Sequence, residues 1–167
     1  KKGTEINWFV DSIDTKTRFM VASEFGKSRS EKDIKVVLER AKDKTESQFE
    51  IITSDGFTLY SRLIKSVFGY YNFQRGKIRH NQVNASKGEG FNIMIERLHN
   101  NLRHRTKTFR GFHGSIESAN AIMKGWEIYY NFIRPHLALK GKTPSELATD
   151  IKLKENNKWL ELINLSC

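Results

Sequence analysis

Two acidic residues stand where phosphoryl-transfer chemistry would need them. Asp55 follows the short apolar run Phe49 to Thr53 and Ser54, and precedes Gly56 and a helical pattern. That is the carboxyl end of a predicted strand, where α/β sheets open a crevice for a ligand. An Asp-Gly pair also starts turns and caps helices, so both accounts stand for this residue taken alone. Glu96 opens the stretch IERLHNNLRHRTK beside Ile95 and Leu98, at the boundary of the face that packs on a sheet. Arg97, Arg103, Arg105 and Lys107 follow, with His99, Asn100, Asn101 and His104 between them. A solvated basic helix face is the plain account of that composition. A carboxylate opening a basic, amide-rich helix is also what metal-dependent phosphoryl transfer on a nucleic acid requires: hard oxygen for the ion, cations and amides for the phosphates.

The elements that must position these residues follow from periodicity. Residues 6–12 and 17–25 are rich in aromatic and β-branched types around a polar turn at Asp14, Thr15 and Lys16, which predicts a β-hairpin. From Glu31 to Lys44, Ile34, Val37, Leu38 and Ala41 keep helical spacing, with Ser30 placed to cap the start. The strand that delivers Asp55 comes next, and Leu59, Leu63, Ile64 and Val67 then predict a second helix. Residues 69–90 are polar and irregular apart from a short strand around Lys77 to Val83. Helical spacing returns in Ile95, Leu98 and Leu102, and again in Ile116, Ala119, Met123, Trp126, Tyr130 and Ile133, until Pro135. Thr143 and Pro144 start a short helix over SELA, and Trp159 to Leu165 predict one more. Strands first, then strand and helix in alternation, then helices, give an α/β domain with a mixed sheet flanked by helices.

The chain's 167 residues, 38% of them hydrophobic, suffice for one core and not for two. Lys and Arg outnumber Asp and Glu by 29 to 19, a formal charge of +10 that suits a polyanionic partner, nucleic acid first and an anionic membrane surface second. No run is long enough to span a bilayer, and the start KKGTEINW has no signal-peptide core, so a cytoplasmic location is expected. Cys167 is the single cysteine, which excludes an internal disulfide and a cysteine-based zinc site.

The stretches IERLHNNLRHRTKTFRGF and YYNFIRPHLALKGKTPSELA, together with IITSDGFTLY and WFVDSIDTKTRF, resemble the DDE insertion-sequence transposases of bacteria and archaea. The resemblance covers nearly the whole chain, and the order and spacing of the pieces carry it. It implies a ribonuclease H-like fold over residues 1–150, with 151–167 as a C-terminal extension. It also implies that Asp55 and Glu96 are the second and third carboxylates of a triad around two divalent ions, Mg2+ or Mn2+, with double-stranded DNA as substrate. A homo-oligomer is expected, without a nucleotide cofactor and without a membrane. The family's first carboxylate lies on a central strand upstream of Lys1, so the expectation is a fold lacking that strand.

Asp11 and Asp14 match the second strand and its end; Asp14 is expected to serve the turn or to support the metal ligands from behind, and either residue could substitute for the first carboxylate. Arg103, Arg105, Lys107 and Arg110, together with Arg97, are expected to contact phosphates, since only Glu117 and Glu127 are acidic between Arg97 and Lys142. Arg134 and His136, with Asn131, flank the helix-ending Pro135. They either cap and close the loop there or, as the resemblance implies, brace the Glu96 helix or touch DNA. Trp126, Tyr130 and Ile133 are expected in the core. The expected activity is cleavage of a phosphodiester at an element end and transfer of the freed 3′ end to target DNA. The alternative is a catalytically inactive remnant that binds DNA or an intact transposase.

Overall fold

A computed structural model describes residues 8–26, 28–45, 49–83, 93–108 and 115–166. Strand β1 (Trp8–Ile13) pairs antiparallel with β2 (Met20–Gly26), Trp8 opposite Gly26 and Ile13 opposite Met20, with an irregularity between Ser12 and Ile13. The turn is held by Asp14, whose backbone N–H donates to Phe19 O at 2.9 Å and whose C=O accepts from Arg18 N at 2.8 Å. Helix α1 (Glu31–Lys44) begins at Ser30, which forms a reciprocal capping box with Asp33. Its Ile34, Val37, Leu38 and Ala41 are buried, as the periodicity requires.

Strand β3 (Ile51–Asp55) leads through α2 (Thr58–Phe68) and the short α3 (Tyr70–Gln74) to β4 (Arg79–Val83), which pairs with it in parallel, Ile51 opposite Arg79 and Asp55 opposite Val83. A parallel pair needs such a crossover. Helix α4 (Ile93–Thr108), α5 (Ile116–Ile128), a π-helical turn (Tyr129–Ile133), a 3-10 turn (Leu137–Leu139), α6 (Pro144–Ala148) and α7 (Lys158–Ser166) complete the chain. Thr143 caps α6 through a second box, with Glu146.

The hairpin is apolar on both faces. Val10 and Val21 join Ile34, Val37, Leu63, Ile64 and Phe68 in the main core, while Phe9, Ile13, Met20 and Phe25 pack against Leu98, Leu102, Ala119, Met123, Trp126 and Tyr130. Fully buried side chains such as Ile34 and Ile64 each contribute roughly 1.5–3 kcal/mol from burial. Alternation along β1 therefore sends Asp11 to the same apolar face as Phe9 and Ile13.

Among the described residues the strands form two two-stranded sheets, β1 with β2 and β3 with β4. The shared core of α1 and α2 spans both, but no described strand pairs with the second edge of β1 or of β3. The polar stretch after Gly69, read as irregular apart from its strand, contains α3 as well, and residues 84–90 lie outside the described residues.

The outer edge of β2, in contrast, is covered by side chains of one helical face. Asn131 accepts from Met20 N at 2.8 Å and donates to Met20 O at 2.9 Å. Asn120 does the same for Phe25, at 3.3 and 3.2 Å. Between them Lys124 donates to Ser23 O at 3.2 Å, and the Ser23 hydroxyl donates to Glu127 at 2.7 Å. Positions 120, 124, 127 and 131 lie on one stripe of a helix, so the stripe completes the hydrogen bonding that a further strand would supply. Among the described residues no helix is long and apolar enough to cross a membrane.

Candidate active site

Asp55 is the last residue of β3, and its two carboxylate oxygens have different tasks. Oδ1 accepts from Phe57 N at 3.0 Å and so orders the turn into α2. Oδ2 accepts from Arg29 Nη2 at 2.5 Å, with about half of the side chain exposed. The turn-forming account holds for Oδ1, and Oδ2 is engaged by an arginine. The guanidinium of Arg29 lies 4.4 Å from the Phe57 ring centre, 5.1 Å from Tyr60 and 6.0 Å from Trp8. Arg29 and the Tyr60 phenol are close enough to shift one another's titration. Burial raises the Tyr60 phenol above its usual range, Arg29 pulls it back, and the charges of Asp55 and Asp11 raise it further. Asp55, Asp11, Arg29 and Tyr60 thus share one electrostatic neighbourhood.

Glu96 lies in the first turn of α4 and is exposed. One turn on, His99 Nε2 meets Asp11 Oδ1 at 2.8 Å, and the His99 ring stands edge-on to Phe9 at 6.2 Å. The Asp11 side chain is only 3% exposed, and its Oδ2 is buried without a partner among the described residues. Burial alone would lower the His99 pKa, but the hydrogen bond and charge of Asp11 outweigh it and the net shift is upward, against smaller opposing effects of Arg103 and Arg29. Leu98, beside His99, is buried against Met20 and Trp126, so α4 is seated on the hairpin by apolar and polar contacts together.

Asp14 serves the turn. Its carboxylate accepts from Thr17 N at 2.9 Å, Thr17 Oγ1 at 2.5 Å and Lys16 N at 3.3 Å. Burial raises its pKa, but these bonds lower it by more. Arg97 and Arg103 are exposed on α4. Arg105 and Lys107 lie on the same helix with side chains outside the described residues, as is Arg110 altogether. His136 is half-buried, its Nε2 donating to Tyr130 O at 3.3 Å and its ring edge-on to Tyr130 at 4.6 Å, while burial lowers its pKa. Arg134 follows the π turn, its N–H donating to Tyr129 O at 2.8 Å. Asn131 braces β2, not the Glu96 helix. Trp126 and Tyr130 are core residues, as expected.

Arg29 is the residue the sequence did not single out: in KSRS it is one cation among many, and only the fold brings it to Asp55. The Asp11–His99 pair left a fainter signal, a carboxylate on the apolar face of β1 that needs a partner. Among the described residues no three His, Cys, Asp or Glu side chains gather into a metal-binding group.

Residues 5–136 match a family model described as a DDE domain, of the IS240 transposase type. No curated protein and no solved structure matches the chain.

Proposed function

The chain belongs to the DDE-domain transposases of insertion sequences, and from that premise we propose that it is the catalytic domain that cuts a phosphodiester at an element end and joins the freed 3′ hydroxyl to target DNA. The observation that supports this most is Asp55. It closes a strand, keeps one oxygen for the turn and offers the other to a full positive charge.

A divalent ion suits that oxygen, since Asp55 Oδ2 already accepts a cation and carboxylates are the hard donors Mg2+ or Mn2+ prefers. Asp55 and Glu96 would hold it, and two such ions in a completed site supply activation of the attacking oxygen and charge neutralisation at the leaving one. The chain's own residues do the positioning. Arg97, Arg103, Arg105, Lys107 and Arg110 run along and beyond α4 as a phosphate track, with Arg134 and His136 at its margin, and they hold the duplex through its backbone without reading its sequence. In-line displacement needs no covalent enzyme intermediate and no nucleotide, so placement of the reacting oxygens carries the rate.

The remaining carboxylate of the triad we assign to a strand seated between β1 and β3, giving the ribonuclease H-like sheet. The support is that α5 and the turn after it cover the outer edge of β2, while the second edges of β1, β3 and β4 pair with no described strand, and a strand between β1 and β3 would join the two pairs into one sheet.

The test is cleavage of duplexes bearing element ends in Mg2+ or Mn2+, by the protein with that strand present. Nicking that vanishes in Asp55→Asn and Glu96→Gln, with DNA binding retained, is the expected result. A protein that binds DNA and never cuts it in either metal belongs to the alternative, an inactive DNA-binding or transposase-binding remnant.

A further inference from the structure

Arg29 is more constrained than an ion pair requires. An exposed Arg–carboxylate pair forms without help and contributes little to stability. Here the guanidinium is caged by the rings of Phe57, Tyr60 and Trp8 and left with under a quarter of its side chain exposed. The cage fixes the plane of the group, and a fixed planar fork of N–H donors matches a phosphate's oxygens as well as it matches a carboxylate's. The ring contacts do not use Asp55 Oδ2, and Oδ1 keeps its bond to Phe57 N, so the guanidinium keeps its place if Oδ2 is given to another cation. Oδ2 cannot serve a guanidinium and a metal ion at the same position.

We propose that Arg29 is a phosphate-binding residue of this site: in the free chain it pairs with Asp55, and when a divalent cation takes the carboxylate its N–H donors pass to a phosphodiester oxygen of DNA. The exchange is one of partners only, with no bond made or broken. The incoming dication adds positive charge beside Arg29, and the phosphate supplies the anion that offsets it. This rests on the reading of Asp55 as a metal ligand.

The experiment compares the unaltered chain with Arg29→Gln, Arg29→Met and Asp55→Asn. Mn2+ binding is followed by the electron paramagnetic resonance of the free ion, and duplex binding by fluorescence anisotropy at several salt concentrations, with Mn2+ and with EDTA. Arg29→Gln should bind Mn2+ about two- to fivefold more tightly, the scale of a lost exposed competitor. With Mn2+ present its duplex affinity should fall roughly tenfold, the scale of a charge-assisted hydrogen bond. Its salt slope should drop by about one. In EDTA the duplex affinity should barely change, because Arg29 is then occupied by Asp55. Arg29→Met, whose stem keeps the aromatic contacts, gives the same readouts if the Gln variant does not fold. Unchanged Mn2+ and duplex binding in these variants, or weaker Mn2+ binding, overturns the proposal. Asp55→Asn that binds Mn2+ like the unaltered chain removes the ligand reading of Asp55 itself, a failure recognisable by its independence of Arg29.

Discussion

His99 on α4 and Asp11 on β1 form a hydrogen-bonded ion pair at 2.8 Å that fastens the Glu96 helix to the hairpin. Glu96 and His99 are three residues apart, hence neighbours on one side of the helix. The pair therefore sets where the candidate ligand stands without touching it.

That pair should make stability depend on pH. The folded His99 pKa lies above the usual 6.5, because Asp11 outweighs burial and the opposing Arg103 and Arg29. For a histidine with a raised folded pKa, the added stability is fully present below the unfolded pKa and is lost as pH rises through the folded value. The melting temperature should fall as pH climbs from about 6.5, the unfolded histidine value, into the alkaline range. Asp11→Asn should flatten that slope and cost roughly 2 kcal/mol, the scale of a broken bond to a buried charged group. A slope that survives in Asp11→Asn would assign the pH dependence to another group.

Catalysis and folding should separate at Asp55. Asp55 is half exposed in its pair with Arg29, so Asp55→Asn should change stability by less than about 1 kcal/mol. Strand cleavage should drop by roughly 10³ or more, the scale of losing an essential catalytic group. Urea unfolding alongside a nicking assay measures both, and equal losses in the two would make Asp55 a structural residue.

The phosphate track should show in salt dependence. Neutralising any two of Arg103, Arg105, Lys107 and Arg110 should weaken binding to unrelated duplexes alike and flatten the slope of log K against log salt by about one for each contact. An unchanged slope places the DNA contacts on other cations.

Asn131 should matter more than a single polar side chain ordinarily does. It is 2% exposed, and Asn131→Ala would strip both Met20 backbone groups of their partner. A loss of about 2–4 kcal/mol is expected, two buried groups at the usual penalty. Asn120→Ala, whose bonds are longer and less buried, should cost less. Sedimentation should also show Asn131→Ala self-associating as the β2 edge opens. Equal stability of the two variants would contradict the ranking.

The regular elements were legible because one rule governs each. Apolar spacing and Ser30 located α1, and Thr143 with Pro144 located α6. The period of 3.6 read straight through Ile133, whereas the helix widens into a π turn at Tyr129, a change of hydrogen bonding that leaves no mark on the pattern. For the candidate site, the place of Asp55 at the end of a strand was legible from the apolar run before it. Arg29 was not, since its role comes from a meeting of β1, α2 and β3 that no local pattern encodes. His136, with Tyr130 beside it, could be read either way from its loop, and its contact with the Tyr130 carbonyl occupies one ring nitrogen without deciding between them.

The cover on β2 also has a schedule. Met20 waits for Asn131, 111 positions later, and Phe25 for Asn120, 95 later. At ribosomal speeds of about 5–20 residues per second, the hairpin leaves the ribosome roughly 5–20 s before its guard does. During that interval the outer edge of β2 is open to any passing strand, and protection of the newborn chain falls to whatever attends the ribosome.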